Sequence, residues 1–279
     1  MFEFMSRKRT FGIIITAIAG CLLPLSLAAE VFKIGGTGGD LGTMGQLARA
    51  YEKANPDVTI QVLSSLGSGG GVKAVLAGAV DLGLSARPMN KKEVAAGAVV
   101  NAYAKTPLVF TVPARHPQKN ISTDDVVRIY AGQRKKFDDG SFIRLVLRSL
   151  DESDTQHLIR AIPGMKAADT EARKRHDVPV TYNDQETADF LERTPGAFGP
   201  ISMSVVRGEG RRLNILSLDG VVPNSAALAD SRYPLFKTFY FVTSPAPSDR
   251  AKAFMAFARA PAGRKIMEQT GHQILGGTK

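Results

Sequence analysis

The residues best suited to chemistry lie in one stretch, Gly67-Ser68-Gly69-Gly70-Gly71-Val72-Lys73-Ala74-Val75-Leu76-Ala77-Gly78-Ala79-Val80-Asp81. It starts as backbone that few side chains encumber, continues as helix, and emerges at Asp81 into the short apolar strand Leu82-Gly83-Leu84-Ser85. A glycine-rich turn feeding a helix presents unpaired N–H groups at the positive end of the helix dipole, which suits an anion. Ser68 would add a hydroxyl and Asp81 a carboxylate. A carboxylate there accepts a hydrogen bond from a protonated oxyanion and repels an oxyanion that has no proton to give. Two other segments repeat this logic. Gly35-Gly36-Thr37-Gly38-Gly39-Asp40 precedes the helical spacing of Leu41 to Ala54, and Arg148-Ser149-Leu150-Asp151-Glu152-Ser153-Asp154-Thr155 opens a helix expected over Gln156 to Ile162. A plain N-cap explains Ser153 or Asp154, but not an arginine with two hydroxyls nearby.

The elements that must position these residues alternate. Val31 to Ile34, Val58 to Leu63 and Leu82 to Ser85 read as strands, each tied to a helix by a short turn, which predicts a parallel, layered α/β unit. In such sheets ligands sit at the carboxyl ends of the strands. Further strands are expected at Leu108 to Val112, Ile143 to Leu147, Leu213 to Leu218 and within Tyr233 to Val242, the last long enough to cross between lobes. Helices are expected at Asp124 to Ala131, Lys166 to Arg175 (a charged surface helix), Asp184 to Glu192, Asp249 to Ala258 and Ala262 to Thr270. Gly36-Thr37-Gly38 is no dinucleotide fingerprint, because the third glycine is misplaced and no acidic residue ends a second strand at the required distance. His116, His157, His176 and His272 lack metal-ligand spacing, so neither a metal nor another cofactor is expected. His157 beside Ser153 and Thr155 would be needed as a base in an enzyme reading, and nothing in the sequence brings it within reach.

The chain of 279 residues, 44% hydrophobic and 22% charged, can hold one large core or two modest ones. Arg7, Lys8 and Arg9 precede the apolar run Phe11 to Leu27, which closes on Ala28 and Ala29, so residues 1–29 are expected to be an export signal. The single cysteine, Cys21, lies inside that segment. Ile18-Ala19-Gly20-Cys21 resembles a lipobox, but the apolar residues after it favour ordinary cleavage near Ala29 and a periplasmic location over a lipid anchor. The net charge is +10, and residues 30–279 carry 33 basic against 25 acidic residues, a surface that concentrates anions. With no Trp and no compact basic block beyond residue 29, nucleic acid is not an expected partner.

Several blocks together resemble a known family. They are Tyr51-Glu52-Lys53-Ala54-Asn55-Pro56-Asp57-Val58, Gly67 to Gly78 with Val80-Asp81-Leu82-Gly83 and Ser85-Ala86-Arg87-Pro88, Thr194-Pro195-Gly196-Ala197-Phe198-Gly199, Tyr233-Pro234-Leu235, and Ala253-Phe254 through Gly263 to Met267. The family is the phosphate-type substrate-binding proteins of bacterial ABC importers, with the type II periplasmic-binding-protein fold. The resemblance implies a two-lobed α/β protein with a ligand cleft between the lobes. Lobe one would comprise 30–110 and 238–279, lobe two 111–237. It implies a non-enzymatic monomer that captures a small inorganic anion such as phosphate for an ABC permease in the inner membrane. Alternatives in the same frame are tungstate, molybdate or a phosphonate as ligand, or an accessory role reporting to a membrane sensor. By resemblance the ligand-binding residues would be Thr37, Gly38, Gly39, Ser68, Gly69, Asp81, Arg148, Ser153, Asp154 and Thr155. This chain departs from the family at the second-lobe loop, where Glu152 and Asp154 replace glycines and place negative charge beside a site for an anion.

Overall fold

The computed structural model describes residues 1, 2 and 31–276; apart from its first two residues, the expected export signal lies outside them. Strands Phe32–Gly36, Ile60–Val62 and Leu82–Ser85 pair in parallel, with Phe32–Gly36 in the middle. Helices Leu41–Ala54 and Gly67–Leu76 make the crossovers between them. The expected parallel unit is therefore present, and its carboxyl edge holds Thr37 and Ser68.

Two long strands run antiparallel beside this unit. The outgoing strand Val99–Pro113 pairs with the return strand Phe236–Thr243 from Val99 to Pro107, and farther along with Ala197–Ser202. The outgoing strand therefore belongs to both halves of the molecule, and the return strand starts beside the second core at Phe236. One core gathers Phe32, Ile34, Met44, Leu47, Phe239, Phe241, Phe254 and Met267. A second gathers Phe110, Val126, Ile129, Leu158, Leu191, Phe198 and Leu235. The division falls within the two long strands, because an inextensible sheet ladder spans the gap while side chains on either side find separate cores.

Local chemistry sets the helix boundaries. Ser122, Asn183 and Ser248 each accept a hydrogen bond from a backbone N–H of the first turn that follows, which fixes the starts of Thr123–Tyr130, Asp184–Arg193 and Asp249–Arg259. Pro261 opens Pro261–Gln269, where its missing N–H costs nothing. Several expectations change. The strand expected at Leu213 to Leu218 divides into Leu213–Ile215, paired with Val99–Pro113, and Ser217–Leu218, paired with Asn120–Ile121, and the helix expected from Gln156 already starts at Ser153. The apolar run Leu108 to Val112 is one end of a strand that begins at Val99. The strand expected at Ile143 to Leu147 splits into Arg144–Leu145, paired with Ala197–Ser202, and Leu147–Arg148, paired with Val180–Thr181. The charged helix, Met165–Arg173, buries Met165, Ala168 and Ala172 against the second core, so only part of it faces solvent.

Candidate functional site

The first turn is a short 3-10 segment, Gly38–Asp40, entered from Thr37. Thr37 N–H donates to Leu84 O at 3.0 Å, which ties the turn to the carboxyl end of strand Leu82–Ser85. Its hydroxyl accepts from Gly39 N at 3.4 Å. The turn is buried, and it faces the other half of the molecule. A Cβ on Gly38 would lie 2.8 Å from Asp184 Oδ2 and 2.8 Å from Gln185 Oε1, at the start of helix Asp184–Arg193. Gln185 Nε2 donates to Gly38 O at 3.1 Å, and Ser204 Oγ donates to Gly39 O at 2.5 Å. Asp40 is turned away from this interface: it accepts from the Tyr103 hydroxyl and lies 3.0 Å from His272 Nε2. Burial, reinforced by the Asp40 charge, pushes the Tyr103 phenol up, so it remains a donor.

The glycine stretch is helical from Gly67 onward. Glycine at position 71 lets the helix sit on the sheet, since a Cβ there would be 2.7 Å from Gly36 Cα. Ser68, in the first turn, accepts from Ala86 N at 3.0 Å, at the end of strand Leu82–Ser85. Gly69 is in the same turn, close to Arg87, which Glu93 holds through two bonds of 2.7 and 2.8 Å.

Asp81 does not join this group. It precedes strand Leu82–Ser85, on the amino edge of the sheet, exposed, and accepts from Lys33 N at 2.7 Å. Ser68 is at the carboxyl edge. A helix and a tight turn carry the chain back across the sheet between them, so thirteen positions of sequence separate two opposite ends of one strand. The carboxylate expected to read a proton on the ligand is therefore not Asp81.

The second-lobe loop is the charged part of the site. Arg148, at the end of its strand, is 2% exposed, and helix Ser153–Ala161 begins five residues later. Arg148 Nη1 donates to Thr187 Oγ1 at 2.7 Å, and its Nη2 lies 3.1 Å from Glu152 Oε2 and 3.6 Å from Asp184 Oδ2. Asp154 Oδ2 is 3.8 Å from Arg148 Nε, and Asp154 Oδ1 is 2.5 Å from Lys237 Nζ. Lys237 comes from the return strand, is 1% exposed, and lies 3.9 Å from Asp184 Oδ1. Ser153 Oγ donates weakly to Asp154 Oδ1 at 3.4 Å. Thr155 spends its hydroxyl on the loop, donating to Ser149 O at 3.0 Å.

Electrostatics follow from this packing. Burial alone would raise the Asp154 carboxyl, but Lys237 and Arg148 outweigh it and hold it below its ordinary value. Burial would lower Lys237, and Asp154 with Asp184 outweighs it and raises it. Arg148 is likewise raised against its burial by Asp184, Asp154 and Glu152. Glu152 is raised, first by burial, even beside Arg148. His157 is lowered, chiefly by burial, and its Nδ1 lies 2.6 Å from Ser153 O rather than against a hydroxyl, so it is not placed as a base. Among the described residues no cluster of His, Cys, Asp and Glu could hold a metal.

Thr37, Gly38, Gly39, Arg148 and Asp154 thus converge where the halves meet, with Ser68 at the same sheet edge. Lys237, Asp184 and Thr187 are additions, as is Ser65, whose Oγ lies 2.9 Å from where a Cβ on Gly38 would stand. Lys237 had a sequence signal, a lone cation inside the apolar run Leu235 to Val242. Outside this cluster the interlobe gap opens into a cavity of about 520 Å³ lined by Leu41, Ser64, Ser65, Asn183, Gln185 and Glu209, with no cation among its walls.

A family model described as the PBP superfamily domain matches residues 26–261. The chain belongs to the PBP superfamily. It is 28% identical over 224 residues to the phosphate-binding protein PstS of Bacillus subtilis (strain 168), covering 76% of this chain and 70% of that one. Among solved structures, a phosphate ABC transporter substrate-binding protein from Clostridium perfringens with bound phosphate superposes with a TM-score of 0.74 at 19% identity, over 88% of this chain and 100% of that one. An ABC-type phosphate transport receptor from Vibrio cholerae gives 0.58 at 18% identity, over 87% and 99%. These likenesses show the fold, and with it the two-lobed arrangement of a PBP domain.

Proposed function

We propose that this PBP-superfamily chain is an extracytoplasmic solute-binding protein that captures a small oxyanion, phosphate foremost, and delivers it to an ABC permease. The observation that carries the reading is the meeting of two buried cations, Arg148 and Lys237, with the Thr37–Gly39 turn and the start of helix Ser153–Ala161 between the two lobes. Buried guanidinium and ammonium groups beside a helix N-terminus suit a compact anion. The named relatives, all phosphate-binding or phosphate-transport proteins, support the same ligand class. The lobes are taken as 30–110 with 238–279 and 111–237, joined through the two long strands. Closure on a ligand brings the first turn and the second-lobe loop together, so a ligand touching both stabilises the closed form.

Titration calorimetry with phosphate, sulfate, molybdate, tungstate and methylphosphonate tests this. Heat from phosphate, with weaker or no heat from sulfate, is the expected result; no heat from any of the five overturns the reading.

A further inference from the structure

The charged cluster between the lobes holds two cations, Arg148 and Lys237, against three carboxylates, Glu152, Asp154 and Asp184. Its formal charge is therefore −1 before any anion arrives. Asp154 is the carboxylate at the centre. It sits in the first turn of helix Ser153–Ala161, is fully buried, and contacts both cations. Lys237 Nζ also lies 3.2 Å from where a Cβ on Gly39 would stand, so the Asp154–Lys237 pair lies against the first turn. The pairing is incomplete. Arg148 Nε, Asp154 Oδ2 and Asp184 Oδ1 are buried without a hydrogen bond, and Arg148 Nη2 has no well-aligned one although Glu152 Oε2 lies 3.1 Å away. Such atoms cost free energy where they are, and a compact ligand with several oxygens could satisfy the two guanidinium nitrogens together.

We propose that Asp154 is an internal counter-anion of the oxyanion site: its carboxylate holds the position between Lys237 and Arg148 that a ligand oxygen takes, so ligand binding must displace it. This rests on the oxyanion reading above. Asp154 then sets affinity and charge preference together. An incoming dianion would take the cluster to −3 and a monoanion to −2, in a region where like charges are poorly screened. The native side chain disfavours the dianion most. Neutralising Asp154 leaves Arg148 and Lys237 balanced by Glu152 and Asp184 alone, and a ligand oxyanion then meets less repulsion and only an uncharged competitor for Lys237.

The test compares the native chain with Asp154→Asn, which keeps the volume and an acceptor for Lys237, and with Asp154→Ser as a smaller second variant. Inorganic phosphate is titrated into each by calorimetry, and melting temperatures are read with and without phosphate against a sodium chloride control. The expected result is a phosphate Kd at least tenfold lower in Asp154→Asn, together with a larger phosphate-induced rise in melting temperature than the native chain shows. Phosphate binding by the native chain with equal or weaker binding by both variants overturns the counter-anion proposal and leaves the oxyanion reading standing. Absence of binding in all three folded proteins overturns both.

Discussion

The two sides of the site solve the same problem differently. The lobe-one side, Thr37–Gly39 with Ser68, is neutral: hydroxyls and glycine backbone, placed by the ends of parallel strands and tolerant of almost no added bulk. On the lobe-two side, the side chains of Arg148, Asp154, Asp184 and Lys237 are buried at 1–4% exposure and, together with the partly exposed Glu152, are held by one another. Shape constrains the first side and charge balance the second. A neutral turn costs little to bury once its backbone is paired, whereas a buried cation must carry its own counter-charge or destabilise the fold.

The comparison breaks most visibly at Lys237. Lys237→Met removes one cation and leaves Asp154 and Asp184 with Arg148 alone, which is expected to destabilise the protein by about 3–5 kcal/mol in denaturant unfolding. The same variant has a pH signature. Lys237 is raised on folding, so its contribution is full below the ordinary lysine value of 10.5 and is lost as pH rises through the folded value. The native protein should lose stability on that alkaline limb, and Lys237→Met should lack this part of the decline. An alkaline limb of equal slope in the native protein and the variant would show that the pair contributes nothing.

On the neutral side the sensitive position is Gly36. Its φ is 151°, and a Cβ there would meet Leu84 O at 2.1 Å, inside the ladder that holds Thr37 in place. Gly36→Ala is expected to cost about 3 kcal/mol by strain and lost strand pairing, with no change in the alkaline limb. Such a loss without a charge signature would sharpen the contrast; a silent Gly36→Ala would erase it.

The smallest effect is expected at Asp81. Asp81→Asn keeps an acceptor for Lys33 N on the far edge of the sheet, so stability should shift by no more than about 0.5 kcal/mol and phosphate affinity should be unchanged. A changed selectivity between phosphate and sulfate in this variant would return Asp81 to the site.

Much of the frame was legible in the sequence. Glycine turns between alternating apolar strands and helical spacings require a parallel α/β unit, and the hydroxyls and glycines of Thr37–Gly39 and Ser68 fall at its carboxyl edge because chain direction in such a unit is set locally. Arg148 and Asp154 were visible as a polar loop opening a helix. What the sequence by itself could not decide was which charges share a pocket. Asp81 follows Ser68 closely along the chain yet ends on the opposite edge, because the helix between them returns the chain across the sheet. Lys237 and Asp184 are distant along the chain from Asp154 and meet it only because the return strand and helix Asp184–Arg193 pack on the same core. Local pattern determines the order and direction of the elements. Only the tertiary packing of separate elements determines the partners of a buried charge, and here those partners are what make the lobe-two half of this site.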